Sequence, residues 1–344
     1  MSIPALGHKS TLQICKEASY GVAPAAAIAR YDIANFKWSA NQSAIECPNM
    51  NSAGASTRGI IPGPMSITGS FDLCLGFGGT AAIMGDEELW RWLMSTYTSA
   101  LAGGETLVTD HTYKEANQQL SYTFDLSLGN IPTGKVTQFN GVYCTGWNFS
   151  VESGLIILSA SFAASAVTEN KTPMTGSLTS GNTAVISHHG HLLITTGNIK
   201  DGSGLDTAIV LRRLAVKVEY PHDTGRNYAG TVWNDSPVRN GPMTARIEGQ
   251  LQWDAASYIM QAKLLTNAPV AGGLKFLWQH PTTIGSTSKR EFEIIALSPV
   301  AGGFDVAMDG PGVIVQNFAW ALAYDTTDTS CMTIRKRTLH AALA

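Results

Sequence analysis

The chain has 344 residues, 44% of them hydrophobic and only 14% charged, with a formal net charge of −3. That apolar content is ample for packed cores and excludes a disordered chain. The absence of a basic excess excludes wrapping nucleic acid by phosphate neutralisation. Five cysteines, Cys15, Cys47, Cys74, Cys144 and Cys331, lack paired spacing and read as reduced thiols suited to a reducing cytoplasm. Met1-Ser2-Ile3-Pro4 carries no basic n-region or apolar h-region, so no signal peptide is expected. No apolar run approaches bilayer length, so no membrane partner is expected either.

In chain order, residues 1–30 read as an arm and Tyr31 to Ala44 as an alternating strand. Cys47 to Pro64 is a polar loop rich in Asn, Ser and Gly. Gly63-Pro64-Met65 then turns into a strand, Ser66 to Leu73, with a glycine inside it. Asp86 to Thr98 reads as a helix: Asp86 stands as N-cap, Glu87 and Glu88 suit the first turn, and Leu89, Trp92, Leu93 and Thr96 fall on one face. Residues 100–119 are mostly polar, with at best a weak strand at Thr106–Asp110, and read as a long loop if largely unpaired. Ser121 to Leu128 alternates, and Val142–Val151 with Leu155–Ala164 forms a hairpin. Thr168 to Thr183 is a linker of small polar residues.

The same plan then recurs. Gly241-Pro242-Met243 precedes Ile247-Glu248-Gly249, as Gly63-Pro64-Met65 precedes Ile67-Thr68-Gly69, with Ile67 and Ile247 offset by 180. Phe36-Lys37-Trp38 answers Val216-Lys217-Val218 at the same offset. A second helix is expected over Asp254–Leu265, then strands over Leu274–Trp278 and Glu291–Leu297. Phe304–Met308 and Val313–Tyr324 form a closing hairpin, and a tail, 326–344, holds Arg335-Lys336-Arg337 as a solvated cluster. Asp125 and Glu293 occupy matching positions, 168 apart. The chain is therefore read as mainly β, two tandem copies of one sandwich or barrel unit, each with a packed helix. Their bounds are 1–182, with the arm and the polar stretch 100–119, and 183–344, with the tail.

The chemistry-bearing patterns do not build an enzyme. Gly129 to Val136 has the glycine and lysine spacing of a phosphate loop, but Val136 replaces the magnesium-binding hydroxyl and a strand follows where a helix belongs. His188, His189 and His191 lack further ligands at metal spacing. No Gly-x-Ser-x-Gly elbow occurs. No catalytic residue, cofactor or metal is expected.

Gly7-His8-Lys9-Ser10-Thr11-Leu12 leading to Glu17-Ala18-Ser19-Tyr20-Gly21 resembles the N-terminus of major tail tube proteins of long-tailed (siphovirus-like) bacteriophages. So do Gly69-Ser70-Phe71 entering a strand, and Gly141-Val142-Tyr143 followed by Phe149-Ser150-Val151 and Gly154-Leu155-Ile156. The resemblance implies a structural virion protein of the tail, assembled in the host cytoplasm, whose rings stack into a hollow tube for genome ejection. It implies partners of three kinds: other copies of the chain, other tail proteins, and DNA passing through without being held. Six tube folds make such a ring, so a doubled chain would form pseudo-hexameric trimers, or hexamers if only one copy faces the bore. The helices would cover the outside of the barrel sheet. Thr68, Asp72, Thr123, Asp125, Glu248, Gln252 and Glu293 would line the bore as a mildly acidic surface. The competing readings are a distal tail or tail terminator protein forming a single ring, and a two-domain β-sandwich binding protein.

Overall fold

A computed structural model describes residues 10–27, 29–46, 60–77, 86–116, 119–129, 134–151, 156–175, 190–195, 205–209, 211–223, 238–253, 274–308, 314–340 and 343. Over these the chain is mainly β, with one α-helix among the described residues. The expected second helix, 254–265, and the histidines at 188 and 189 lie outside them. The strands of the first part are β1 (Thr11–Lys16), β2 (Ala29–Asp32), β3 (Asn35–Glu46) and β4 (Ile60–Cys74). After helix α1 (Glu87–Met94) come β5 (Thr96–Leu101), β6 (Thr109–Lys114) and β7 (Tyr122–Ser127). Then follow β8 (Val136–Val151), β9 (Ile157–Ala164) and β10 (Ala166–Lys171). The later part gives β11 (Gly190–Thr195), β12 (Leu205–Ile209), β13 (Leu211–Glu219), β14 (His222–Asp223), β15 (Val238–Arg239) and β16 (Thr244–Gln252). It ends with β17 (Leu274–Ile284), β18 (Ser288–Ala296), β19 (Pro299–Ala307), β20 (Val315–Leu322) and β21 (Met332–Thr338).

Strand β8 is long enough to serve two sheets. Its first half pairs with β7 and β10, and β7 continues to β1 and β2. Its second half pairs with β9 on one side and β13 on the other. A continuous antiparallel run of eight strands results, in the order β3-β4-β9-β8-β13-β16-β20-β19. A separate seven-stranded sheet runs β12-β11-β17-β18-β21-β6-β5. Residues on both sides of position 182 thus share two strand pairings, β8 with β13 and β6 with β21. They also share one core, in which Phe149 of β8 meets Trp278 and Phe292 of the seven-stranded sheet at 5.3 and 5.8 Å.

The glycine inside each organising strand has a visible purpose. A Cβ on Gly69 would lie 2.4 Å from Phe162 Cζ and 2.8 Å from Lys37 O, and one on Gly249 would lie 2.5 Å from Phe318 Cζ and 2.6 Å from Arg213 O. In each case a cross-strand aromatic ring lies flat over the bare backbone. Gly63-Pro64-Met65 stands inside β4, however, whereas Gly241-Pro242-Met243 precedes β16 as expected.

Helix α1 corrects three expectations. It stops at Met94 and not at Thr98: Ser95 adopts φ 70°, its N–H bonds Arg91 O at 2.8 Å, and the β-favouring Thr96-Tyr97-Thr98 passes into β5. Asp86 sits at the N-cap position but does not cap with its side chain. Its carboxylate accepts from Trp90 Nε1 at 3.1 Å and pairs with Lys336. Nor does the helix cover the outside of a sheet. Seven of its eight residues are buried. Trp90 contacts Trp147 and Phe292 from two different sheets, while Trp92 packs on Phe71 and Phe124. Its apolar residues cover one broad side, and Glu87 and Glu88 on the other side are buried as well, so the helix is wedged between layers.

The segments expected to be loose are paired. The arm contains β1, and the first part of the expected linker is β10. The polar stretch 100–119 is largely the hairpin β5–β6, and the tail is β21, which pairs with β6 along its whole length. Lys336 is 1% exposed, so the basic cluster is not solvated. The Ala102–Val108 turn of that hairpin reaches the β17–β18 turn, where Glu105 accepts the backbone N–H groups of Ser286, Thr287 and Ser288 at 2.9–3.1 Å. Those bonds hold the Glu105 carboxyl down at about 2. A depressed acid stabilises the fold above its ordinary pKa and loses that contribution as pH falls toward 2. Glu105→Gln is therefore expected to melt below the parent at pH 6, with the gap narrowing steadily toward pH 2.5 in thermal scans. A gap independent of pH would contradict this.

Candidate functional site

The face of the eight-stranded sheet turned away from the core is built by simple alternation. On β13, Leu214, Val216 and Val218 are buried while Arg213, Lys217 and Glu219 are exposed, and Ala215 lies between them. On β16, Ala245 and Ile247 are buried while Thr244, Arg246 and Glu248 are exposed. Partners in register lie on the same face. Crossing the sheet through Thr68, Ala163, Ser161, Gly146, Asn148, Lys217, Arg246 and Ala321 therefore meets mostly short or polar side chains.

Hydrogen bonds run across strands on this face. Gln250 Nε2 donates to Asn317 Oδ1 at 3.1 Å, and Asn317 Nδ2 donates to Asp305 Oδ2 at 3.2 Å. Lys217 and Glu219 pair at 2.6 Å with both side chains mostly exposed. An open groove of about 450 Å³ lies over Arg213, Glu248, Gln250, Asp305 and Asn317. The surface is broad and hydrogen-bonding, without convergence on one point.

Four of the seven residues expected to line a bore stand on this face. Thr68 is exposed, with its hydroxyl 3.4 Å from Ser39 Oγ, and Asp72 accepts from Asn35 Nδ2 at 2.9 Å. Glu248 is exposed opposite Ala215, and Gln252 is half-buried opposite Val315.

The other three stand elsewhere. Thr123 and Asp125 are on β7, 0% and 1% exposed, which corrects the expected open polar face there. The physical cause is a cover of neighbouring chain. Thr123 Oγ1 donates to Glu17 Oε1 at 2.8 Å, and Glu17 also accepts the N–H groups of Gly21 and Gly141. Asp125 accepts from the Met174 N–H at 2.6 Å and from Gln138 Nε2 at 2.9 Å. Burial pushes its pKa up against those two bonds. These carboxylates anchor residues 17–21 and 172–175 over the β7–β8 region. Glu293 is on the seven-stranded sheet, 7% exposed and paired with Lys275. Asp125 and Glu293 are thus brought together neither on one face nor in one sheet.

The expected acidity also changes. Lys37, Arg213, Lys217 and Arg246 are interleaved with Asp72, Glu219, Glu248 and Asp305 on the open face. The period-2 pattern of Leu211-Arg212-Arg213-Leu214-Ala215-Val216-Lys217-Val218-Glu219 carries the signal for Arg213 and Lys217.

Among the described residues no group of His, Cys, Asp and Glu is arranged to hold a metal ion, and no helix is long and apolar enough to cross a membrane. No protein-family model matches the chain, and no curated protein sequence matches it.

Proposed function

We propose that this chain is a structural subunit of a phage-type tail tube, its eight-stranded sheet forming part of the wall of a hollow bore. The observation that carries the reading is the sheet itself. One face is buried on the core, the other is small, polar and of mixed charge, and among the described residues both outer strands, β3 and β19, are open edges.

The sheet also divides into two runs of the same order, β3-β4-β9-β8 and β13-β16-β20-β19, joined where β8 meets β13. The matching glycine–aromatic contacts at Gly69 and Gly249 support two copies of one unit. They also adjust the repeat: the carbonyls over the two glycines belong to Lys37 and Arg213, so β3 and β13 correspond at an offset of 176, not 180. A chain carrying two such units is matched to three copies per ring, closing twenty-four strands from three times eight.

The mixed face suits passage of a polyanion. Binding DNA by its backbone needs clustered cations that displace counterions, and each cation here has acidic neighbours. The function is thus containment and sliding, with no chemical step. Negative-stain microscopy of the purified protein tests this: long hollow filaments are expected. Isolated rings would favour a terminator or distal protein, and monomers at high concentration a binding module. Either outcome would overturn the tube.

A further inference from the structure

The junction inside the chain is a template for the junction between chains. Strand β8 ends one four-stranded run and β13 begins the next, and six residue pairs join them, from Leu214 with Val151 to Glu219 with Gly146. Among the described residues the two strands left without an outer partner at the ends are β19, which takes the place of β8 in its run, and β3, which takes the place of β13. We infer that β19 of one copy pairs antiparallel with β3 of the next, in the register that β8 and β13 use within the chain. This rests on the ring reading above and adds to it the strands, direction and register of the contact.

The register follows from one landmark shared by both units, the phenylalanine over each glycine. Phe162 lies over Gly69 and Phe318 over Gly249, and Lys37 O and Arg213 O overlie the same glycines. Asn148 pairs with Ser159, three residues before Phe162, and Ala307 pairs with Val315, three residues before Phe318, so β8 and β19 correspond at an offset of 159. Carrying the internal pairs across, Asn148 with Lys217 becomes Ala307 with Asn41 of the next copy. Gly146 with Glu219 becomes Asp305 with Ser43, and Phe149 with Val216 becomes Met308 with Ala40.

Side-chain chemistry agrees with this register. Val306 and Met308 are 41% and 71% exposed, an unusual load of apolar surface for an open edge. In the transferred register they meet Gln42 and Ala40 on the core side of β3. On the other face, Ala307, Asp305, Asn41 and Ser43 continue the small polar surface. Strand β3 spans twelve residues without a proline, so as a free edge it would be an aggregation site, and a second copy is the partner that completes it. The two edges differ, so the contact is head-to-tail and closes into a ring.

The test uses the full chain with Cys47→Ser and Cys74→Ser, so that added thiols report alone. Neighbouring strands hold opposed Cα atoms about 4.5–5.5 Å apart, within disulfide reach. Asn41→Cys with Ala307→Cys, oxidised mildly after assembly, is expected to run mainly as a covalent trimer on a non-reducing gel and as monomer after reduction. Each single variant should remain monomeric. Rings seen by microscopy without that cross-link would overturn the register while leaving the ring intact. Dimers from either single variant would overturn head-to-tail pairing. Loss of both rings and cross-links in the parent background would remove the ring reading itself.

Discussion

Lys336→Met is expected to lower the melting temperature by about 4–7 °C, whereas Asp86→Leu with Lys336→Met should recover more than half of that loss. The Lys336 ammonium and the Asp86 carboxylate are both wholly buried and in direct contact, and Lys336 also donates to Gly76 O at 2.9 Å. Burial alone pulls the lysine pKa well down, since water no longer stabilises the cation. Removing the lysine leaves an anion in the core, which typically costs about 3–5 kcal/mol. With an unfolding entropy of ~2.1 cal/mol/K per residue over this length, that cost gives the stated shift. Replacing both partners with apolar groups removes the stranded charge, and such swaps are often close to neutral. A single variant that melts within about a degree of the parent would show that the pair is solvated and the tail loosely held.

Why that pair was hidden in the sequence is instructive. Met332, Ile334, Lys336 and Thr338 form the buried side of β21, so the alternation is present. A lysine occupies an inward position, however, flanked by two arginines, and three consecutive cations read as a solvated face. The distant Asp86 and Gly76 O make the position tolerable. Likewise Thr109 to Lys114 shows a weak pattern because its buried positions are Thr109, His111 and Tyr113, residues that carry polar groups. Tyr97 Oη meets His111 Nδ1 at 3.0 Å, and His111 Nε2 meets Thr338 Oγ1 at 3.1 Å.

Where neighbours in sequence are also neighbours in space, the reading fared better. The hairpin β8–β9, strand β7 and strand β16 fall where the alternation puts them. The open sheet face was half legible: Thr68, Asp72, Glu248 and Gln252 stand on it by period alone. Thr123 and Asp125 have the same period but lie under residues 17–21 and 172–175, whose folding back no local pattern signals. Alternation states which side chains share a face; it does not state whether that face is later covered.

Deleting residues 101–118 is expected to abolish the folded protomer, giving a chain without a cooperative melt by circular dichroism. Were this stretch a mere surface loop, the deletion would leave a folded subunit that polymerises poorly. Strand β6 lies between β21 and β5, so its loss exposes the β21 edge and removes its ladder from the seven-stranded sheet. Val108, His111 and Tyr113 are fully buried, and large-to-small changes at such sites cost about 2–5 kcal/mol each. Their combined removal is comparable with the ~5–15 kcal/mol by which domains are stable. The Glu105 contacts to the β17–β18 turn go with them. Stacking of rings is instead isolated by Leu101→Thr with Leu107→Ser, since those two side chains are 61% and 66% exposed and support no core. That variant should melt like the parent, yet yield single rings or short tubes if the hairpin end touches the neighbouring ring. A deletion chain that still melts cooperatively would refute the integral role of β6. Full-length tubes from the leucine variant would move the ring-to-ring contact elsewhere on the molecule.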